Sequence, residues 1–261
     1  MTLVIALCGK DGCLVAADTK INITRSSSGT LHGEPLQPVK YSTNRSKIFI
    51  SDRHGIMISW AGQEVAETAA AKIKERCDSM ETLSEDEDFG RMICEECERA
   101  CTDELYRSSP QFESQVLLVN SRSKFSPLWS ATFYRHLFAP NQSEGDFRCR
   151  PRFGLGKEII GQDANSALFF LERYYSPRAF NLDELLFLAA HVIRNASHLA
   201  KDWIGGLAIA VCAENGTPEF IQRATLDEIW DKSRLLSANI EGALREPLLA
   251  IQRGKNQEML T

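Results

Sequence analysis

Met1-Thr2-Leu3-Val4-Ile5-Ala6-Leu7-Cys8-Gly9-Lys10-Asp11-Gly12-Cys13-Leu14-Val15-Ala16-Ala17-Asp18-Thr19-Lys20 is the stretch on which the reading of this chain turns. Thr2 to Leu7 is an apolar run rich in β-branched residues, Lys10-Asp11-Gly12 supplies a glycine-containing turn, and Cys13 to Ala17 returns as a second apolar run. The pattern predicts a β-hairpin. Both strands are apolar on both faces, which places them inside a covered sheet. Such a hairpin brings Thr2 beside Asp18. Methionine aminopeptidase removes an initiator Met that precedes a small residue, and Thr2 would then carry a free α-amine. With an unperturbed pKa of about 7.7–8.0, that amine can act as a base for the threonine's own hydroxyl.

The segment Thr2 to Lys20 resembles the opening of a proteasome β-type subunit, a member of the N-terminal nucleophile (Ntn) hydrolases. It carries the order Thr, hydrophobic run, Gly-x-Asp-Gly, hydrophobic run, Ala-Ala-Asp-Thr-Lys. The extension that precedes this hairpin in α-type subunits is missing. The resemblance implies a four-layer αββα sandwich, and composition and periodicity by themselves indicate a mixed α+β domain. It also implies a threonine peptidase in a homo-oligomer of rings or stacked rings, with a peptide or unfolded-protein substrate and an ATPase or activator partner. No metal or organic cofactor is implied.

The chain has 261 residues, enough for a sizeable core, and no internal repeat or linker divides it. A single domain over residues 1–261 is expected, with a core over about 2–222 and a helical extension over about 225–252. A formal net charge of −5 gives no sign of a nucleic-acid-binding surface. No run approaches a membrane span, and no basic segment precedes the first apolar strand. A cytoplasmic protein without a secretory signal is expected.

In such a compartment no disulfide framework is expected of the eight cysteines. Cys94, Cys97 and Cys101 have a spacing that could set three thiols on one helix face, which raises zinc. The neighbouring sequence supplies no second paired-Cys or His-x-x-x-His element for a fourth ligand, so a packed helix face is the simpler reading.

Beyond Asp18 the stretch Thr24 to Ser46 holds Ser26-Ser27-Ser28-Gly29, Pro35 and Pro38, and reads as a surface loop. Strands follow at Lys47–Ile50 and Ile56–Gly62, then helices at Gln63–Cys77 and from about Ser84 to Tyr106. Strands at Gln115–Asn120 and Leu128–Tyr134 precede a loop at Ala139–Pro151. A helix carrying Ala167 and Leu171 and another over Leu182–Ala200, entered through Asn181 as cap, lead to strands at Leu207–Cys212 and Glu219–Gln222.

In proteasome β subunits a lysine opens the strand that Lys47 opens here, and a glycine ends the strand that Gly62 ends. A lysine beside the threonine lowers the pKa of its amine and hydroxyl and relays a proton; a carboxylate at Asp18 would fix that lysine. A backbone N–H at Gly62 can donate to a developing oxyanion. The taking of Lys47 over Lys40 rests on the hydrophobic strand directly after it. Two departures stand out. Gln162 occupies the place of a serine that assists the amine, and Ile204 that of a second serine in an Asp-x-x-Ser-Gly-Gly element of which Asp202, Gly205 and Gly206 are recognisable and one residue is missing. By the family pattern Lys20, Arg45, Trp60 and Glu64 would line the substrate pocket, Trp60 narrowing it and Glu64 favouring a basic side chain.

The expected site is therefore Thr2, Asp18, Lys47, Gly62 and Asp202. A catalytically silent structural subunit of the same fold, motivated by the two lost serines, and an amidase for small amides are the alternatives.

Overall fold

The computed structural model describes residues 2–25, 30–31, 34–35, 39–81, 88–102, 111–123, 127–136, 146–154, 156–161, 164–176, 179–199 and 204–239. By internal contact the chain divides into two compact units, Met1–Ile221 and Gln222–Thr261.

The first unit is an α+β structure built on two five-stranded antiparallel sheets. The opening hairpin forms as expected, β1 (Leu3–Cys8) against β2 (Gly12–Ala17), with every residue of both strands buried. β13 (Ala208–Ala213) continues the sheet beyond β2 and β14 (Glu219–Phe220) closes that edge. β12 (Lys157–Gly161) forms the other edge, beside β1. The second sheet runs β11 (Asp146–Gly154), β10 (Leu128–His136), β9 (Gln111–Asn120), β8 (Ile56–Ala61), β7 (Ile48–Ser51).

Strand alternation sorts the second sheet's side chains into two cores. Ile56, Ile58, Trp60, Val116 and Leu118 join a cluster with α1 (Glu64–Ser79) and α2 (Phe89–Thr102). Met57, Ala61, Leu117 and Val119 meet Val4, Ala6, Val15 and Ala17 of the hairpin. The first sheet carries α3 (Ala164–Tyr174) on β12 and α4 (Leu182–Leu199) on β1, β2 and β13. The cap of α4 is reciprocal. Asn181 Oδ1 accepts the Glu184 N–H at 2.9 Å and Glu184 accepts the Asn181 N–H at 2.8 Å, satisfying two helix-end donors.

Two stretches read as loops are strands. Residues β3 (Lys20–Arg25) and β6 (Val39–Asn44) pair as an antiparallel ribbon, with β4 (Thr30–Leu31) and β5 (Glu34–Pro35) as a smaller pair beyond it. Both long arms alternate β-branched or apolar residues with polar ones, and the glycine and prolines fall between or outside them. β11 occupies an edge of its sheet, where Pro151 withholds no ladder donor from a second neighbour.

One cysteine pair differs from expectation, and the packed helix face of α2 has a neighbour that was not foreseen. The hairpin register sets Cys8 opposite Cys13, and the two form a disulfide with Cα atoms 4.1 Å apart. The β11 strand packs Cys149 against the core that holds Cys97 and Cys101 of α2, a neighbour that spacing along the helix could not show. Among the described residues no group of three or more His, Cys, Asp or Glu side chains is arranged to hold a metal ion. No helix among them is long and apolar enough to cross a membrane.

In the second unit residues 223–239 are helical, with Leu226 and Ser233 buried and Leu235 exposed. The part of the expected helical extension beyond residue 239 lies outside the described residues.

Candidate active site

The hairpin register that pairs Val4 with Ala17 carries Leu3 and Asp18 to each other's backbone: the Leu3 N–H donates to Asp18 Oδ1 at 2.8 Å, and the Asp18 N–H donates to the Leu3 carbonyl at 3.1 Å. Lys47 enters from the opposite sheet, directly before β7. Its Nζ reaches Asp18 Oδ1 at 3.0 Å, Asp18 Oδ2 at 2.9 Å, the Lys20 carbonyl at 2.8 Å and Thr2 Oγ1 at 3.1 Å. The Ser59 hydroxyl donates to the Lys47 carbonyl at 2.6 Å and holds its backbone. Thr2, Asp18 and Lys47 are 6%, 0% and 1% exposed, so the cluster is enclosed by protein.

Burial acts on both ionisable groups toward neutrality. It pulls the Lys47 ammonium down from the usual lysine range, against the pull of Asp18, and raises Asp18, against Lys47 and the Leu3 N–H. A lysine brought down in this way, hydrogen-bonded to a hydroxyl, can both donate to the threonine oxygen and take a proton from it.

Gly62 ends β8 with φ of 111°, a conformation that favours glycine. A Cβ there would lie 2.9 Å from Ser114 Oγ, and the adjacent Gln63 N–H donates to that same oxygen at 3.2 Å. Gly62 thus belongs to the β8–α1 turn and, among the described residues, makes no hydrogen bond to the Thr2 cluster. Gly205 and Gly206 do approach it. The Gly205 carbonyl accepts the N–H groups of Thr19 and Lys20, both at 3.0 Å, and clamps the chain just after Asp18. Ile204 is buried and brings no hydroxyl. Asp202 and Gln162 lie outside the described residues, as does Met1.

Of the expected pocket residues, Trp60 points into the helix-side core, 4% exposed, and its indole N–H has no partner among the described residues. Arg45 is bound to Glu67 at 2.6 Å. Glu64 opens α1 and is exposed. Lys20 contributes its carbonyl to Lys47.

Sequence reading missed the Ser59 hydroxyl, the Lys20 carbonyl and two neighbours of the site on β9, Ser114 and Gln115. Nothing in local pattern marks a polar residue within a strand as the partner of a distant backbone group.

Comparison with solved structures finds a known fold. Solved structures that match include a Gly-1 mutant of Anbu from Hyphomicrobium sp. strain MC1, at 14% identity and a TM-score of 0.60 over 97% of this chain and 100% of that one. Anbu from Yersinia bercovieri, described as an ancestral β-subunit, matches at 12% identity and a TM-score of 0.58, over 92% and 96%. Anbu from Pseudomonas aeruginosa, solved as a helical assembly, matches at 12% identity and a TM-score of 0.63, over 94% and 96%. The fold is that of Anbu. No protein-family model and no curated protein matches the chain.

These findings correct the family reading of the opening residues. The neighbours are Anbu proteins at 12–14% identity, a distant relationship that carries the fold and does not establish a proteasome β-type subunit or an Ntn hydrolase. The physical reason is that hairpin, turn and glycine positions are demanded by backbone geometry, and many sequences can supply them.

Proposed function

We infer that this chain is a threonine-type hydrolase of amide bonds, with Thr2 as nucleophile once Met1 has been removed. The observation that supports this most is the buried Lys47, whose Nζ touches both Thr2 Oγ1 and Asp18. A lysine and carboxylate of this kind are costly to bury, and replacement by apolar residues of similar volume is often neutral or stabilising. Their placement on a threonine hydroxyl supports a chemical role for the pair.

In this reading Thr2 Oγ forms a bond to the substrate carbonyl carbon while its proton passes to the Thr2 amine. Lys47, held by Asp18, favours the alkoxide and relays the proton. The Gly62 N–H receives the developing oxyanion. Asp202, outside the described residues, keeps its place in the reading on the sequence resemblance alone. The C–N bond then breaks as the proton moves to the leaving amine. Water, deprotonated by the same amine, attacks the ester and frees Thr2. The scaffold is taken as one domain whose helix pairs and sheets stack as a four-layer αββα sandwich, followed by a helical extension. The working form is taken as a homo-oligomer, in keeping with the helical assembly of the Pseudomonas aeruginosa relative. Peptides are the substrate class that fits first, with small amides as a narrower variant.

The test is intact mass spectrometry before and after incubation with a peptide epoxyketone, which needs both the hydroxyl and the free amine. Loss of Met1 and one adduct on Thr2, absent in Lys47→Ala, supports the reading. A chain that retains Met1, or loses it and stays unlabelled by a panel of peptide and small-amide electrophiles, overturns it. A second reading, a catalytically silent subunit, is favoured by the aliphatic, buried Ile204.

A further inference from the structure

Two consecutive residues of β9 reach opposite sides of the candidate site. Ser114 lies under the Gly62–Gln63 turn, accepting the Gln63 N–H. Gln115 points the other way, toward the first sheet. Its Oε1 accepts the Gly161 N–H at 2.7 Å, and its Nε2 donates to Thr132 Oγ1 on β10 at 3.2 Å. The amide orientation follows from the chemistry, because a backbone N–H requires the oxygen.

Gly161 is in turn fitted to the threonine. It is paired with Leu3 in the sheet and has φ of 115°, and a Cβ on it would fall 1.8 Å from the Thr2 carbonyl oxygen. The Gly161 backbone is therefore a wall against Thr2. It stands on an edge strand, where outward N–H groups have no strand partner, and Gln115 supplies one from the other sheet. Lys47 fixes the threonine's hydroxyl, and nothing in that contact fixes its main chain.

We propose that Gln115 is a positioning residue for Thr2: by holding Gly161 from the opposite sheet it sets where the threonine backbone stands relative to Lys47 and to the Gly62 turn. This rests on the reading of Thr2 as nucleophile. Misplacement of a reacting group by an ångström costs on the order of 100-fold in rate, so loss of the bridge should slow the bond-forming step and leave probe affinity nearly unchanged.

The experiment is the rate of Thr2 labelling by a peptide epoxyketone, resolved into kinact and KI, in the full chain and in Gln115→Leu and Gln115→Glu. Amide exchange at Gly161 and thermal melting are followed alongside. Glutamate keeps an acceptor for Gly161 and can accept from Thr132. The expected result is a kinact about 10- to 100-fold lower in Gln115→Leu with KI within about twofold, recovery in Gln115→Glu, and faster exchange at Gly161 in the leucine variant alone. An unchanged kinact, an effect confined to KI, or unchanged protection at Gly161 overturns the proposal while leaving the nucleophile reading intact. If the parent chain, shown to have lost Met1, takes no label, that reading fails instead, and Gly161 exchange alone decides whether the bridge exists. Should Gln115→Leu fail to fold, Thr132→Val, which frees Nε2, is measured the same way, with a smaller slowing of kinact supporting the proposal and none overturning it.

Discussion

Lys47 Nζ stands 3.1 Å from Thr2 Oγ1, and the two residues stand directly before β7 and β1, strands of different sheets. The contact joins the start of the chain to a residue 45 positions later and puts a cation against a hydroxyl where water is largely shut out.

Removal of that cation has two separable effects. Lys47→Met should abolish Thr2 labelling, a loss of at least about 100-fold by the usual scale of acid–base assistance. It should also destabilise the fold by about 3–5 kcal/mol, because Asp18 is left charged and unpaired in the interior. Urea unfolding of Lys47→Met beside Asp18→Asn/Lys47→Met would show the double variant to be the more stable.

The lowered pKa of Lys47 fixes the sign of a pH dependence. In the window between its folded value and the unfolded value of about 10.5, the unfolded chain binds more protons than the native one, so this residue's contribution makes stability rise with pH. Urea midpoints across the alkaline range should climb more steeply in the parent than in Lys47→Met. Asp18, raised by the same burial, contributes the opposite slope in the acid range above its unfolded value.

Gly206→Ala should disturb the clamp on the Asp18–Lys20 turn. The residue has φ of 69°, and an added Cβ would fall 2.1 Å from Thr19 Oγ1. A loss of about 2–3 kcal/mol is expected, part steric and part conformational. Thr19→Ala in the same chain removes the colliding oxygen and should restore the steric part, which calorimetry of the single and double variants would resolve.

Glu96 is buried in α2 and is reached by Arg76 of α1 at 2.8 Å and by Arg99 at 2.9 Å. Arg76→Ala leaves the carboxylate with only the more exposed Arg99. A destabilisation of about 1–3 kcal/mol is expected in urea, and Arg76→Ala/Glu96→Gln should recover part of it.

The hairpin and the helix α1 were legible because each is written in local terms: a β-branched run with a Gly turn, and apolar residues at helical spacing. The contact of Lys47 with Asp18, across 29 positions, has no local signal and was expected only from the family resemblance. The ribbon of β3 and β6 was hidden by the serine–glycine and proline punctuation around it, although Lys20 to Arg25 alternates as a strand does. Pro151 hid β11 in the same way, since proline excludes a strand only from a sheet's interior. The disulfide became visible only with the hairpin register, which sets Cys8 across from Cys13. Gln115 meets Gly161 across 46 positions, and an amide within a strand carries no pattern that announces a partner on another sheet.

The origin of the site's parts bears on when the chain becomes chemically competent. Thr2 and Asp18 belong to one sheet and Lys47 to the other, so a nascent chain with only its opening hairpin formed holds the threonine without its lysine. On the proposed reading, any hydrolytic capacity requires the two sheets to be docked, and the isolated opening hairpin would lack it.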